Sequence, residues 1–94
     1  MAQMMIVRRL TLQPGRVNEA IKWLKNKEEQ RRKAGQISQL VARSMTDTKE
    51  YLFIQVWESK EAYDRWHKSD ERAALAEERK SLLAHEPILF YQVL

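Results

Sequence analysis

Cysteine is missing altogether from the 94 residues. This excludes a disulfide framework, a thiolate metal site, an iron–sulfur cluster and a Cys nucleophile, and it fits a reducing compartment. Long apolar runs are missing too, and the N-terminus has no charged region followed by an apolar stretch. Neither a membrane span nor a signal peptide is therefore expected, and the chain reads as a cytoplasmic protein. No HxxxH pair, carboxylate cluster or glycine-rich phosphate loop occurs, so metal and nucleotide chemistry lack support. Glycine and proline number two each, so each marks a boundary, and no linker, repeat or low-complexity tract interrupts the chain. A chain near this size buries only roughly 60 to 65% of its unfolded surface, which leaves room for one core. Residues 1–94 are read as one domain.

What is present suits a globular fold: 44% hydrophobic and 32% charged residues are too apolar a mixture for disorder. Seventeen Lys and Arg against thirteen Asp and Glu give +4, a balance that favours anionic partners. Much of the surplus falls in Lys22, Lys25, Lys27, Arg31, Arg32 and Lys33, interleaved with Glu28 and Glu29 on one predicted helix. Glu28 with Arg32 and Glu29 with Lys33 can pair at i,i+4, so a solvated helix face accounts for these charges without a ligand.

Met4–Leu12 (MMIVRRLTL) is rich in branched aliphatics and reads as a strand, closed by the turn signal Gln13-Pro14-Gly15. From Arg16 the period changes: Val17, Ala20, Ile21 and Leu24 fall at i, i+3, i+4 and i+7, which predicts an amphipathic helix ending before Gly35. Trp23 lies off that stripe, a position that suits a rim or a subunit contact. Ile37–Ser44 and Tyr51–Trp57 read as strands joined by a hairpin loop at Thr46-Asp47-Thr48. Ser59 is a predicted N-cap for a short helix on which Ala62, Tyr63 and Trp66 share a face. Ser69 and Asp70 start a second segment through the helix formers of DERAALAEERKSLLA. Pro87 closes that region, and Ile88–Leu94 is the last strand. The order is β-α-β-β-α-β with the second helix split. It predicts an α+β, ferredoxin-like fold in which a four-stranded antiparallel sheet carries helices on one face.

An antiparallel sheet with one wet face should alternate apolar and polar residues. These strands do not. Tyr51, Phe53 and Trp57 point one way while Leu52, Ile54 and Val56 point the other; Ile88, Phe90 and Leu94 oppose Leu89, Tyr91 and Val93. Helices can cover one face only, so a homodimer with sheet packed on sheet is predicted.

The passage Val56-Trp57-Glu58-Ser59-Lys60-Glu61-Ala62-Tyr63-Asp64-Arg65-Trp66-His67-Lys68-Ser69 resembles the VW-x-S-x-x-A-F/Y-x-x-W-x-x-S signature of the antibiotic-biosynthesis monooxygenase (ABM) family. Arg9-Leu10-Thr11-Leu12 with Pro14-Gly15 is similar to that family's first strand and turn, and Pro87-Ile88-Leu89-Phe90-Tyr91 to its last strand. The resemblance spans essentially the whole chain. It implies a dimeric α+β barrel and a monooxygenase, either a cofactor-independent enzyme acting on a small phenolic or enolic substrate, or a haem-degrading one. The haem-degrading members use an Asn on the first strand, a Trp on the helix after the third strand, and an axial His ten residues beyond it. Here Trp66 matches the Trp, Arg8 stands at the Asn position and Ala76 at the His position. Haem binding would then need a non-standard ligand, and the expectation is no cofactor. A non-catalytic ligand-binding or regulatory dimer is a further reading, because a fold does not fix a function.

Arg8 shares a strand face with Ile6, Leu10 and Leu12, so its guanidinium needs a carboxylate, carbonyls or an anion. An internal salt bridge or snorkelling to the sheet edge satisfies this. So does a pocket between sheet and helices where Arg8 holds an acidic or phenolate-like substrate. Tyr63 and Trp66 at i,i+3 suit a core, and the resemblance makes Trp66 a pocket wall. His67 and His85 are the titratable groups near neutrality, and either is a candidate base. His67 points about 100° around the helix from Trp66, toward solvent; His85 enters the last strand and could act if its loop folds over the pocket. The candidate site is therefore Arg8, Tyr63, Trp66, His67 and His85.

The same element order describes an RNA-recognition motif. Lys49, Tyr51, Phe53 and Ile54 match its RNP1 pattern, while Glu50, Leu52 and Val56 depart from it and the first strand lacks a stacking aromatic. Nucleic acid is not an expected partner, and neither is a membrane.

Overall fold

Alternation along two strands places everything else. The computed structural model describes residues 2–85 and 87–94, apart from the side chain of His85. Along β1 (Met4–Leu12) Met4, Ile6, Arg8, Leu10 and Leu12 are all buried, while the residues between them are half-buried or exposed. A second strand, Tyr51–Trp57, behaves likewise: Tyr51, Phe53, Gln55 and Trp57 are buried and Leu52, Ile54 and Val56 half-buried. With β2 at Gln36–Arg43 this second strand is β3, and it pairs antiparallel with β1 from Met4 opposite Trp57 to Leu10 opposite Tyr51. The last strand, β5 (Ile88–Gln92), pairs with the other edge of β1. The resulting order β2-β3-β1-β5 is the ferredoxin-like order expected from the sequence.

One strand is additional to those the sequence predicts. β4 (Leu83–His85) continues beside the end of β1, with Leu83 opposite Leu12. The run Asp70–Ala84 favours helix by composition, but pairing with β1 buries Leu83, and that tertiary gain outweighs propensity. β5 ends at Gln92 rather than Leu94, although the Val93 amide still donates to the Gln3 carbonyl at 3.0 Å.

The single helix predicted before Gly35 is two, α1 (Val17–Asn26) and α2 (Glu28–Ala34), broken at Lys27. On the exposed side of α2 the predicted pairs form, Arg32 with Glu28 at 2.6 Å and Lys33 with Glu29 at 3.8 Å. Beyond β3 come α3 (Lys60–His67), α4 (Asp70–Ala73) and α5 (Ala76–Leu82). Both predicted serine caps are made: Ser59 Oγ accepts from the Ala62 amide at 3.1 Å and Ser69 Oγ from the Arg72 amide at 3.2 Å. The additional break at Ala74–Leu75 lets Leu75 turn inward, where it packs against both apolar clusters described below.

Gly35 fixes how the helices meet. Its φ of 122° closes α2, and a Cβ there would lie 2.9 Å from Ala62 Cβ on α3. Only glycine allows both the backbone turn and the close approach of α2 to α3. All helices lie on the sheet face that carries Arg8. Two apolar clusters form beneath them, one including Leu10, Leu24, Tyr51 and Phe53, the other Ile6, Trp57, Ala62 and Trp66. Trp23, expected at a rim, is buried in the first, because α5 lies beside α1 and supplies Glu78, whose Oε2 accepts from Trp23 Nε1 at 2.9 Å. The opposite sheet face is bare. Leu40, Ile54, Val7 and Leu89 lie in cross-strand register there, with Leu40 53% and Leu89 45% exposed. Among the described residues no helix is long and apolar enough to cross a membrane.

Candidate functional site

Between the two apolar clusters the core becomes polar. Arg8 on β1 is opposite Phe53 on β3 and only 4% exposed, so its guanidinium lies inside the fold. Its Nη2 donates to Tyr63 Oη on α3 at 3.0 Å. Tyr63 Oη in turn lies 3.5 Å from His67 Nδ1, one helical turn on, and the two rings stack with centroids 5.7 Å apart. With Arg8 donating to the oxygen, the hydroxyl hydrogen is available to Nδ1 in the tautomer that carries the imidazole proton on Nε2. Trp57 meets Tyr63 edge-on at 5.5 Å and lies 6.5 Å from Trp66, so the Tyr63 ring is clamped by aromatic packing.

A second arginine corrects the sequence reading. That reading puts Arg31 on a solvated helix face, yet it is 3% exposed and points into the core. Its Nη1 donates to the Leu24 carbonyl at 2.9 Å and to Gln39 Oε1 at 3.0 Å, and its guanidinium lies 5.0 Å from the centroid of Phe53. The apolar stripe of α1 foretells this: Arg31 is seven residues after Leu24, on the same face once the stripe is extended into α2. Burial, followed by repulsion from Arg79 and Arg8, pushes the Arg31 guanidinium down to about 10, so it stays charged at neutral pH.

Arg8, Arg31, Phe53 and Gln55 form the floor of a cavity whose side wall is Tyr63 and Trp66. Arg72, Leu75 and Arg79 from the α4–α5 segment close it. Its volume is about 20 Å³, room for one water molecule. Arg72, Leu75 and Arg79 are absent from the sequence-based site, although with Leu82 they repeat at i, i+3, i+7 and i+10, the spacing of one helix face. An open depression of about 610 Å³ lies on the far side of Tyr63, at the β5 edge, walled by Phe90 and Tyr91 and without an arginine.

The five predicted site residues divide accordingly. The structure brings Arg8, Tyr63 and Trp66 to the cavity, and His67 reaches it through Tyr63 while remaining solvent-exposed itself. The His85 side chain lies outside the described residues. Burial, followed by repulsion from Arg72, Arg8 and Arg79, lowers the His67 imidazole below its ordinary range, with Asp64 acting in the opposite direction. His67 is thus neutral near pH 7, the form that accepts a proton.

The usual axial ligand for haem is missing, because Ala76 begins α5 without a ligating atom. Among the described residues no group of three His, Asp or Glu could hold a metal ion. The RNA reading fails on burial: Tyr51 and Phe53, the matched RNP1 aromatics, lie under the helices and present no face to a base.

No curated protein matches this chain in sequence. Solved structures do match in shape. SnoaB from Streptomyces nogalater, described as a cofactor-independent oxygenase, superposes with a TM-score of 0.85 at 16% identity, covering 100% of this chain and 95% of its own. A conserved protein from Methanosarcina mazei gives 0.82 at 19% identity over 100% and 95%. A Pseudomonas aeruginosa protein gives 0.79 at 17% identity over 100% and 96%. At such identities the likeness establishes the fold. Membership comes from the sequence itself, because residues 3–78 match the family model described as antibiotic biosynthesis monooxygenase. The chain belongs to the antibiotic biosynthesis monooxygenase family.

Proposed function

We propose that this protein is a cofactor-independent monooxygenase acting on a small phenol or enol bound between sheet and helices. The observation that carries the reading is Arg8, a buried cation that donates to the Tyr63 hydroxyl, which in turn reaches the His67 imidazole. A substrate that supplies its own electrons needs only deprotonation, stabilisation of the anion and exclusion of water. Tyr63 and His67 take the proton, Arg8 holds the phenolate or enolate, and Trp66 forms the flat wall against the ring. The carbanion then adds to dioxygen, the proton returns to the distal oxygen of the peroxide, and loss of water leaves a carbonyl. The balance closes: one substrate carbon exchanges two hydrogens for one oxygen atom of dioxygen, and the other oxygen atom leaves with those hydrogens as water. A ring-sized substrate needs more room than one water; displacement of α4, a single turn with no buried residue, provides it. A second copy of the chain packs on the bare sheet face, a reading supported by the apolar row of Val7, Ile54, Leu40 and Leu89.

Titration of 4-nitrophenol, whose anion absorbs visible light, tests the role of Arg8. Wild-type protein should shift the probe toward its anion at fixed pH. Arg8→Ala should lose that shift while its melting temperature changes little. Absence of a shift in wild type, or its persistence in Arg8→Ala, would overturn the assignment.

A further inference from the structure

We infer that Gln55 is a ligand-contacting residue of the cavity: one hydrogen of its amide donates to an oxygen atom lodged there, a water molecule in the resting protein and an acceptor oxygen of the ligand when one is bound. The ligand half of the inference rests on the proposed function and deepens it by adding a donor that discriminates between ligands. The water half stands on the fold alone.

Gln55 belongs to a chain of amides under the helices. The register of β2 against β3 shifts between Gln36 and Ser38. Gln36 and Gln39, which regular alternation would place on opposite faces, therefore meet on the side that Gln55 occupies. Trp57 Nε1 donates to Gln55 Oε1 at 3.4 Å, Gln55 Nε2 to Gln36 Oε1 at 2.9 Å, and Gln36 Nε2 to Gln39 Oε1 at 3.0 Å. Arg31 Nη1 donates to the same Gln39 oxygen at 3.0 Å, and Gln39 Nε2 to the Leu24 carbonyl at 3.4 Å.

The ends of this chain set its direction. An indole N–H and a guanidinium only donate, and a backbone carbonyl only accepts. Turning over Gln55 alone would face its nitrogen to the Trp57 N–H and its oxygen to Gln36 Oε1. Turning over all three glutamines together would oppose donor to donor at Trp57 and at Arg31, and oxygen to oxygen at Leu24. The network thus assigns each amide one orientation.

In that orientation one group of Gln55 is left over. Its nitrogen carries two hydrogens and Gln36 takes one; among the described residues no acceptor takes the other. Gln55 is 3% exposed, so bulk solvent does not take it either. What Gln55 borders is the cavity of about 20 Å³, room for one water. An amide hydrogen buried without an acceptor is costly, and an oxygen in the cavity removes that cost. A ligand that brings an acceptor oxygen displaces the water without loss, whereas one that brings a methyl group strands the donor. Because the amide is neutral, it selects by hydrogen-bond character and not by charge.

The two amide hydrogens separate a contact from a purely structural role, and NMR of the isotope-labelled full chain observes both. Their resonances are identified by their disappearance in Gln55→Met. One of the two should show a cross-peak to a bound water. On titration with 4-nitrophenol that hydrogen should shift and lose the water cross-peak, while its partner on Gln36 moves little. Gln55→Met should weaken binding of the probe about fivefold or more. Gln39→Met, which breaks the chain away from the cavity, should lower the melting temperature and keep the affinity. If Gln55→Met does not fold, the resonances are assigned through the Gln55 backbone and decide by themselves. If wild type does not bind 4-nitrophenol, the proposed function loses its support and the water cross-peak alone decides this inference. No bound water at either hydrogen, a 4-nitrophenol complex that moves both hydrogens alike or neither, or full affinity in a folded Gln55→Met would overturn it.

Discussion

The two faces of this sheet each depart from the usual arrangement. The face under the helices includes Arg8, Gln36 and Gln55 among its buried residues, and α2 adds Arg31 to them. The face without helices displays Val7, Ile54, Leu40 and Leu89 in one cross-strand row. Polar groups inside and apolar groups outside each carry a cost, and the costs have different remedies. Buried polar groups are satisfied by hydrogen bonds: every buried side-chain polar atom among the described residues has a partner. Exposed apolar groups are satisfied by a covering surface, which this chain does not itself provide. The helical face thus carries the candidate site, and the bare face carries an uncovered apolar row.

Substitutions on either face test these roles. The largest effect is expected at Trp57, which is fully buried and holds both Tyr63 and Trp66. Trp57→Ala should cost about 3–5 kcal/mol in urea denaturation, enough to unfold much of a small domain, and a loss below about 1 kcal/mol would mean the aromatic clamp is slack. On the bare face, Ile54→Lys places a charge in the middle of the apolar row. Sedimentation should show wild type as a dimer and the variant as a folded monomer; a monomeric wild type would remove the interface. Gly35→Ala comes next, with an expected loss of about 1–3 kcal/mol from the positive φ and the crowding of Ala62. An unchanged melting temperature would show that α2 and α3 are free to separate.

The smallest effect is a pH dependence. Because the His67 pKa in the fold lies below its ordinary value near 6.5, the unfolded chain takes up that proton first as the solution is acidified. Stability should therefore fall as pH drops from about 6.5 to the folded-state value and level off below it. An NMR titration of the imidazole should show the depressed midpoint, moving up in Arg72→Gln as a repelling charge is removed. A midpoint at or above the ordinary value would contradict the burial and arginine repulsion that act on His67.

Much of this is legible in the sequence and some is not, for physical reasons. β1 and β3 are readable to the residue because alternation is a local signal, and the serine caps because capping needs only a side chain and the next turn. Arg8 is recognisable as an anomaly on an apolar face. Arg31 is hidden by its neighbours: Arg32 and Lys33 do form solvated pairs, and only extending the stripe from Leu24 separates it from them. Arg72 and Arg79 lie in a run whose composition favours one continuous helix, and their convergence depends on the break at Leu75, a tertiary event. β4 reads as helix for the same reason, since nothing local to Leu83 announces its partner Leu12.

The most direct measurement is protein-dependent oxygen uptake in the presence of a metal chelator, with a panel of hydroquinones and phenolic acids and labelled dioxygen. The account predicts consumption of one dioxygen per substrate, one labelled atom in the product, and loss of activity in Arg8→Met. Uptake that disappears with the chelator, or none with any member of the panel, would contradict it.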